Sequence, residues 1–247
     1  VKNLILYLFT VVTLFSCISN KATTCSTKTP SPKKSSKLAL EVPIDSIDKH
    51  TIRIQYVVLD PVISTDTALV ESWLMASHNN INFLYGSAFI FEAAPLVWYS
   101  EIDVNVDDAQ NNSSKFNKML DDVGREDGTL YVYVVGNTRN TLLGYTYVFP
   151  TCKDCYVTLA PKYDFIVLSR ESIENVNTLA HETGHFFGLP HTFEIKEKLL
   201  PLYGLDDPRI FCVNSMGYVC CAADVTPEQI GIMWNYCGLN RHNLIRF

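Results

Sequence analysis

Apolar and polar positions alternate along residues 51–60, TIRIQYVVLD, so that Ile52, Ile54, Tyr56 and Val58 share one face. A period of two is the signature of a strand, and this stretch is predicted as one. The spacing then changes. Over 66–83, DTALVESWLMASHNNINF, Leu69, Trp73 and Ala76 recur at helical intervals behind a Ser/Thr/Asp start signal. SAFIFEAA (87–94) reads as a second strand and LVWYSEIDVNV (96–106) as its continuation. KFNKMLDD (115–122) is a short helix. TLYVYVVGN (129–137), LLGYTYVFP (142–150) and DFIVLSR (164–170) are three further strands. NVNTLAHETGHFFG (175–188) is a helix with Asn175 or Asn177 near its N-cap and Gly188 at its stop. TPEQIGIMWNYCG (226–238) is the last helix, with Thr226 as cap, Pro227 in the first turn and Gly238 past the end. Strands come first and helices later, which predicts an α+β layout around one open sheet.

The N-terminal region has a different character. A lysine precedes an apolar run over 4–15, shorter than the roughly 20 residues a bilayer span requires. It fits the apolar core of an export signal. LFSC at 14–17 resembles a bacterial lipobox, in which Cys17 would become the lipidated N-terminus, although Phe15 is unusual in that pattern. The alternative is an ordinary signal cut between residues 16 and 20. Residues 18–37, rich in Ser, Thr, Lys and Pro, have almost nothing to bury and read as a tether. The expected organisation is a signal over 1–17, a flexible tether over 18–38 and a folded domain over 39–247. That domain divides into subdomains at 39–188 and 189–247. The expected location is the cell envelope or surface through a lipid at Cys17, or the exterior if Cys17 carries none.

Charge and cysteine content narrow the function classes. The net charge is −6 and the 20 Lys and Arg form no long basic block, which argues against a nucleic-acid partner. Export places the cysteines in an oxidising compartment. With Cys17 lipidated and Cys25 in the tether, Cys152, Cys155, Cys212, Cys220, Cys221 and Cys237 are left as disulfide candidates, with the connectivity open. CKDC at 152–155 has no second CxxC to complete a zinc knuckle, so pairing is the preferred reading.

The densest chemistry lies in HETGHFFGLPHT at 181–192, which holds three of the six histidines. His181 and His185 are one helical turn apart on one face, so both imidazoles can reach one ion at roughly 2.0–2.1 Å. His191 would sit about 15 Å further along the axis if the helix continued. Gly188 supplies the left-handed turn that ends a helix abruptly, and Pro190 discourages re-entry. Glu182 projects about 100° round the helix from His181, beside the ion and not onto it. A carboxylate there can take a proton from a zinc-bound water. His50, His78 and His242 have no partner at ligand spacing and are expected at the surface.

The pattern H181-E182-x-x-H185-x-x-G188-x-x-H191 resembles the signature of the metzincin zinc peptidases. NSMGY at 214–218 is similar to the Met-turn of that clan, with Met216 as its methionine and Tyr218 matching a tyrosine that reaches the zinc or the oxyanion. Within the clan, Thr192 and Phe193 after the third histidine, together with TPEQ at 226–229, resemble the pappalysin (ulilysin-like) branch. The resemblance implies a zincin fold: a twisted, mostly parallel sheet with an antiparallel edge strand, a zinc-binding helix, and a small C-terminal subdomain with the Met-turn and a last helix. GYTYVFP at 144–150 is the candidate edge strand, closed by Pro150. The implied activity is that of a monomeric zinc endopeptidase acting on peptides or proteins, with Glu182 as the catalytic base. The branch's calcium-type segment is here the short stretch 194–212. Its Asp206 and Asp207 alone fall short of the 6–8 oxygens that Ca2+ takes. A reading from another class keeps the metal but not the chemistry: an anchored binding lipoprotein with a structural or vestigial zinc. Glu182 separates the two, because a binder has no use for a carboxylate beside the ion.

Overall fold

The structure is a computed structural model and describes residues 15–18, 48–59, 67–136, 142–147, 164–207, 210, 214–217 and 224–246. One mixed sheet organises it, in the order β1 (Phe15–Ile18), β6 (Leu142–Tyr147), β7 (Phe165–Ser169), β5 (Thr129–Val135), β2 (His50–Leu59) and β3 (Phe89–Ala93). β7, β5, β2 and β3 run parallel, and β4 (Val97–Tyr99) continues the parallel pairing along β2. β6 is antiparallel to β7, and β8 (Ile245–Arg246) is antiparallel to β2. The fold is α+β with a mostly parallel sheet, an antiparallel strand at its margin and a C-terminal helix.

Parallel neighbours require long crossovers, and these put helices on both faces of the sheet. α1 (Thr67–Tyr85), α4 (Val176–Phe186) and α5 (Pro227–Asn240) cover one face. α2 (Val106–Gln110) and α3 (Ser114–Val123) cover the other. Alternate residues therefore enter two cores. Ile52, Ile54, Tyr56 and Val58 of β2 join the first with Leu130, Val132 and Val134 of β5. Val57 and Leu59 join the second with Tyr131, Tyr133 and Val135. Every residue of β5 and β7 is buried, which is why these strands read as continuous apolar runs and not as alternations.

Three expectations change. α1 buries Val70, Leu74, Ser77, His78, Ile81, Leu84 and Tyr85, not the stripe through Leu69, Trp73 and Ala76; Leu69 is 41% exposed. The true face contains two polar residues, Ser77 and His78, and the partners of His78 lie elsewhere in the chain. His78, expected at the surface, is buried, with Nδ1 2.9 Å from the Tyr56 hydroxyl and Nε2 3.0 Å from the Phe91 carbonyl. His50 is half-buried and stacks on Trp234. Second, only 97–99 of the stretch 96–106 is strand. Asn105 caps α2, its side chain accepting from Asp108 N at 2.8 Å. Third, Gly238 does not stop α5, which runs to Asn240. At the margin, β1 pairs antiparallel along the outer side of β6, with Phe15 opposite Thr146. Residues 148–150 of the candidate edge strand lie outside the described residues. Among the described residues no helix is long and apolar enough to cross a membrane.

His78→Ala is expected to destabilise the protein by about 2–3 kcal/mol, since it leaves the buried Tyr56 hydroxyl unsatisfied and opens a void. Urea denaturation checks this. A loss within about 0.5 kcal/mol, typical of a surface position, would contradict the role given to His78.

Candidate metal centre

The site is assembled around the end of α4. Asn175 caps the helix, accepting from Asn177 N at 3.1 Å, and the helical residues end at Phe186. Gly188 follows at φ +90°, and a Cβ there would lie 2.7 Å from the Tyr236 ring. Gly188 N donates to His185 O and Leu189 N to Gly184 O, both at 2.9 Å. The chain thus reverses within the last turn, and His191 comes back over the face carrying His181 and His185.

The three imidazoles meet as the spacing implied. His185 Nε2 lies 3.0 Å from His181 Nε2 and 3.1 Å from His191 Nε2. All three residues are buried, at 3%, 2% and 2% exposure for His181, His185 and His191. They form the one group of three or more potential metal ligands among the described residues. Each outer nitrogen faces an oxygen. His181 Nδ1 is 2.6 Å from Ser215 O, and His185 Nδ1 is 2.7 Å from Leu189 O. His191 Nδ1 is 3.4 Å from a Glu194 carboxylate oxygen, which also accepts from His191 N at 3.1 Å.

With the ring protons on Nδ1, the tautomer that the carbonyls facing His181 and His185 favour, three Nε2 lone pairs are directed to one point, the arrangement metal-ligating histidines adopt. Ligands at 2.0–2.1 Å from an ion with tetrahedral angles would be about 3.3 Å apart, within a few tenths of an ångström of what is seen. Protonation is disfavoured in the same place. Burial lowers the pKa of His181 to about 4, takes His185 well below its ordinary range and lowers His191. The donor set fits a divalent ion such as zinc.

Met216 lies under this helix and is fully buried. A Cβ on Gly184 would collide with its sulfur, so the glycine between the two helical histidines is what admits the methionine. The turn at 214–217 closes with Gly217 N donating to Asn214 O at 2.9 Å. Its carbonyls face the site: Ser215 O receives His181, and Met216 O accepts from Thr192 N at 3.1 Å.

Glu182 is fully buried against β6. Thr146 Oγ1 lies 2.8 Å from both Glu182 Oε2 and Glu182 O, while Oε1 has no hydrogen-bond partner among the described residues. Gly144 makes room, since a Cβ there would come within 3.2 Å of Glu182 Cγ. Burial raises the carboxyl pKa to about 8, and the Thr146 hydrogen bond opposes that rise.

Several of these residues carried no usable sequence signal. Ser215 and Leu189 act through main-chain oxygens, which any residue type possesses. Thr146 and Gly144 come from a strand distant in sequence. Glu194, three residues beyond His191, is the exception, since that spacing brings the two side chains together in one short helical turn. Tyr218, Cys25, Cys152, Cys155, Cys212, Cys220 and Cys221 lie outside the described residues, as does the side chain of Cys17. Cys237, a disulfide candidate, is instead a free thiol buried in α5, where burial raises its pKa to about 12. It packs in the first core as a small apolar residue. Asp206 is exposed and joins no ligand group among the described residues. The chain matches no model of a known protein family, and no curated protein matches its sequence.

Two expectations follow for the metal-free and metal-loaded protein. The unfolded chain takes up protons at the ordinary histidine value of 6.5, whereas the folded triad resists them. Stability is therefore lost as pH falls below 6.5 and levels off once the folded histidines also protonate. Glu182 acts in the opposite sense, favouring the folded state less as pH rises from 4.5 to about 8. The melting temperature of the metal-free protein should peak near pH 6–7 and fall on the acid side, as a calorimetric series would record. Glu194→Ala should weaken zinc binding about 10–100-fold, measured by competition with a chromophoric chelator.

Proposed function

We propose that the protein is an exported zinc-dependent endopeptidase. The observation that carries the proposal is the pairing of two features: three neutral imidazoles converging on one point, and a buried carboxylate on the neighbouring helical position with one oxygen uncommitted. A structural zinc site closes its coordination with a fourth protein ligand, whereas three ligands leave a position open. Glu182 also weighs against the anchored-binder alternative, because its burial is costly and a binder gains nothing from it.

His181, His185 and His191 would hold the ion. When bound, zinc supplies a Lewis acid for the scissile carbonyl and lowers the pKa of a water towards 7. Glu182 takes the proton from the attacking water and returns it to the leaving amine. Burial makes its carboxylate a stronger base, and the charge of a bound cation would favour the ionised form that accepts the proton. Thr146 keeps the carboxyl against β6 through Oε2, leaving Oε1 for the proton. Met216 supports the ligands by packing, and Tyr218 is proposed to donate to the oxyanion. A substrate strand would add to β6 by main-chain pairing. That side is occupied by Phe15–Ile18; cleavage before Cys17 would remove Phe15 and Ser16, two of the residues paired with it. Anchorage through a lipid at Cys17 belongs to the same proposal, with the lysine-bearing tether holding the domain off the membrane.

Glu182→Ala should retain zinc by elemental analysis and lower the cleavage rate on a peptide library, read by mass spectrometry, by about 100-fold or more. Cleavage at the unaltered rate would remove Glu182 from the mechanism. Failure of the unmodified protein to hold zinc after loading would remove the metal centre itself.

A further inference from the structure

Asn214 and Gln229 form a reciprocal amide pair in the interior, both fully buried. Asn214 Nδ2 donates to Gln229 Oε1 at 2.7 Å, and Gln229 Nε2 donates to Asn214 Oδ1 at 3.1 Å. Gln229 Oε1 also accepts from Thr226 N at 3.0 Å, so its acceptor serves two donors. Asn214 Oδ1 likewise accepts from Met216 N at 3.0 Å. Flipping either amide would set donor against donor, so both orientations are determined by the network.

The pair links two elements with different tasks. Gln229 belongs to the first turn of α5 and closes its capping box with Thr226. Asn214 opens the turn whose next two carbonyls receive His181 Nδ1 and Thr192 N. Thr192 adjoins His191, so the turn touches the supports of two of the three ligands. Its backbone is held separately by Ser215 N donating to Asp224 O at 2.7 Å. Asn214 is the turn residue whose side chain reaches the helix.

On the metal-binding reading above, we propose that Gln229 is a positioning residue for the metal centre: its amide locks Asn214, and through Asn214 the turn that aims His181 and anchors the return of His191. Ligand orientation by hydrogen-bonded partners outside the coordination sphere governs metal affinity. Here the orientation is relayed from a helix whose cap uses the same glutamine oxygen.

Cobalt(II) reports this directly, because its visible absorption follows ligand geometry. The unmodified full chain, Gln229→Met, Asn214→Asp and Thr226→Ala would each be loaded with Co2+ at a temperature where circular dichroism shows all four folded. Affinity would be read by chelator competition. Gln229→Met conserves volume and removes both bonds to Asn214. Asn214→Asp keeps the acceptor for Met216 N and removes the donor to Gln229. Each should shift the Co2+ bands and weaken binding about 10–100-fold. Thr226→Ala removes the side-chain cap and leaves both amides in place. It should lower the melting temperature with the Co2+ spectrum unchanged. If Gln229→Met does not fold, Asn214→Asp alone decides the matter. Unmodified spectrum and affinity in the amide variants would overturn the proposal, as would an equal spectral change in Thr226→Ala, which would mark Gln229 as a helix cap only. Absence of bound Co2+ and Zn2+ in the unmodified chain would overturn the metal centre itself, a result distinct from these.

Discussion

Three unprotonated imidazole nitrogens held 3.0 and 3.1 Å apart repel one another. In water that repulsion would be relieved by rotation or by protonation. Here neither is open: the outer nitrogens are engaged with Ser215 O, Leu189 O and the Glu194 carboxylate, and burial disfavours the imidazolium. A cation at the shared point would relieve it. Much of the local architecture can be understood as holding that arrangement. Gly188 reverses the chain, Gly184 admits Met216, and Met216 supports the helix that presents two of the ligands.

The sheet provides the rigidity this requires. Its central strands are buried on both faces, so α4 packs on a surface that cannot shift without disturbing two cores. β6, between β1 and β7, is the strand that contacts Glu182, through Thr146 and the space left by Gly144. The C-terminal helix approaches from the other side and reaches the ligands through the amide pair and the turn. The candidate metal centre therefore sits where three elements meet, and no one of them contains it.

Legibility in the sequence followed the range of the interactions. β2, β5, β7, α3, α4 and α5 were readable because their signals are local: periodicity, caps and length. The α1 face was misjudged because it carries the polar residues Ser77 and His78, and the partners that allow His78 to be buried, Tyr56 and Phe91, lie outside any helical periodicity. The same limit explains Cys237. Its place among the cysteines suggested pairing, whereas its helix carries it into the core. The short α2 escaped because the residues around Asn105 read as a strand's continuation, whereas Asn105 and Asp108 close a capping box there.

By itself the sequence determined the three histidines that could hold an ion. Helical geometry pairs His181 with His185, and a glycine that tolerates positive φ lets His191 return; both are consequences of backbone sterics, which act within a few residues. Only the tertiary structure decided how those ligands are oriented and what lies beside Glu182. The acceptors for His181 and His185 are main-chain oxygens, and the partner of Glu182 comes from a strand 36 residues earlier. Main-chain carbonyls carry no residue identity, and contacts between distant segments exist only once the chain has folded.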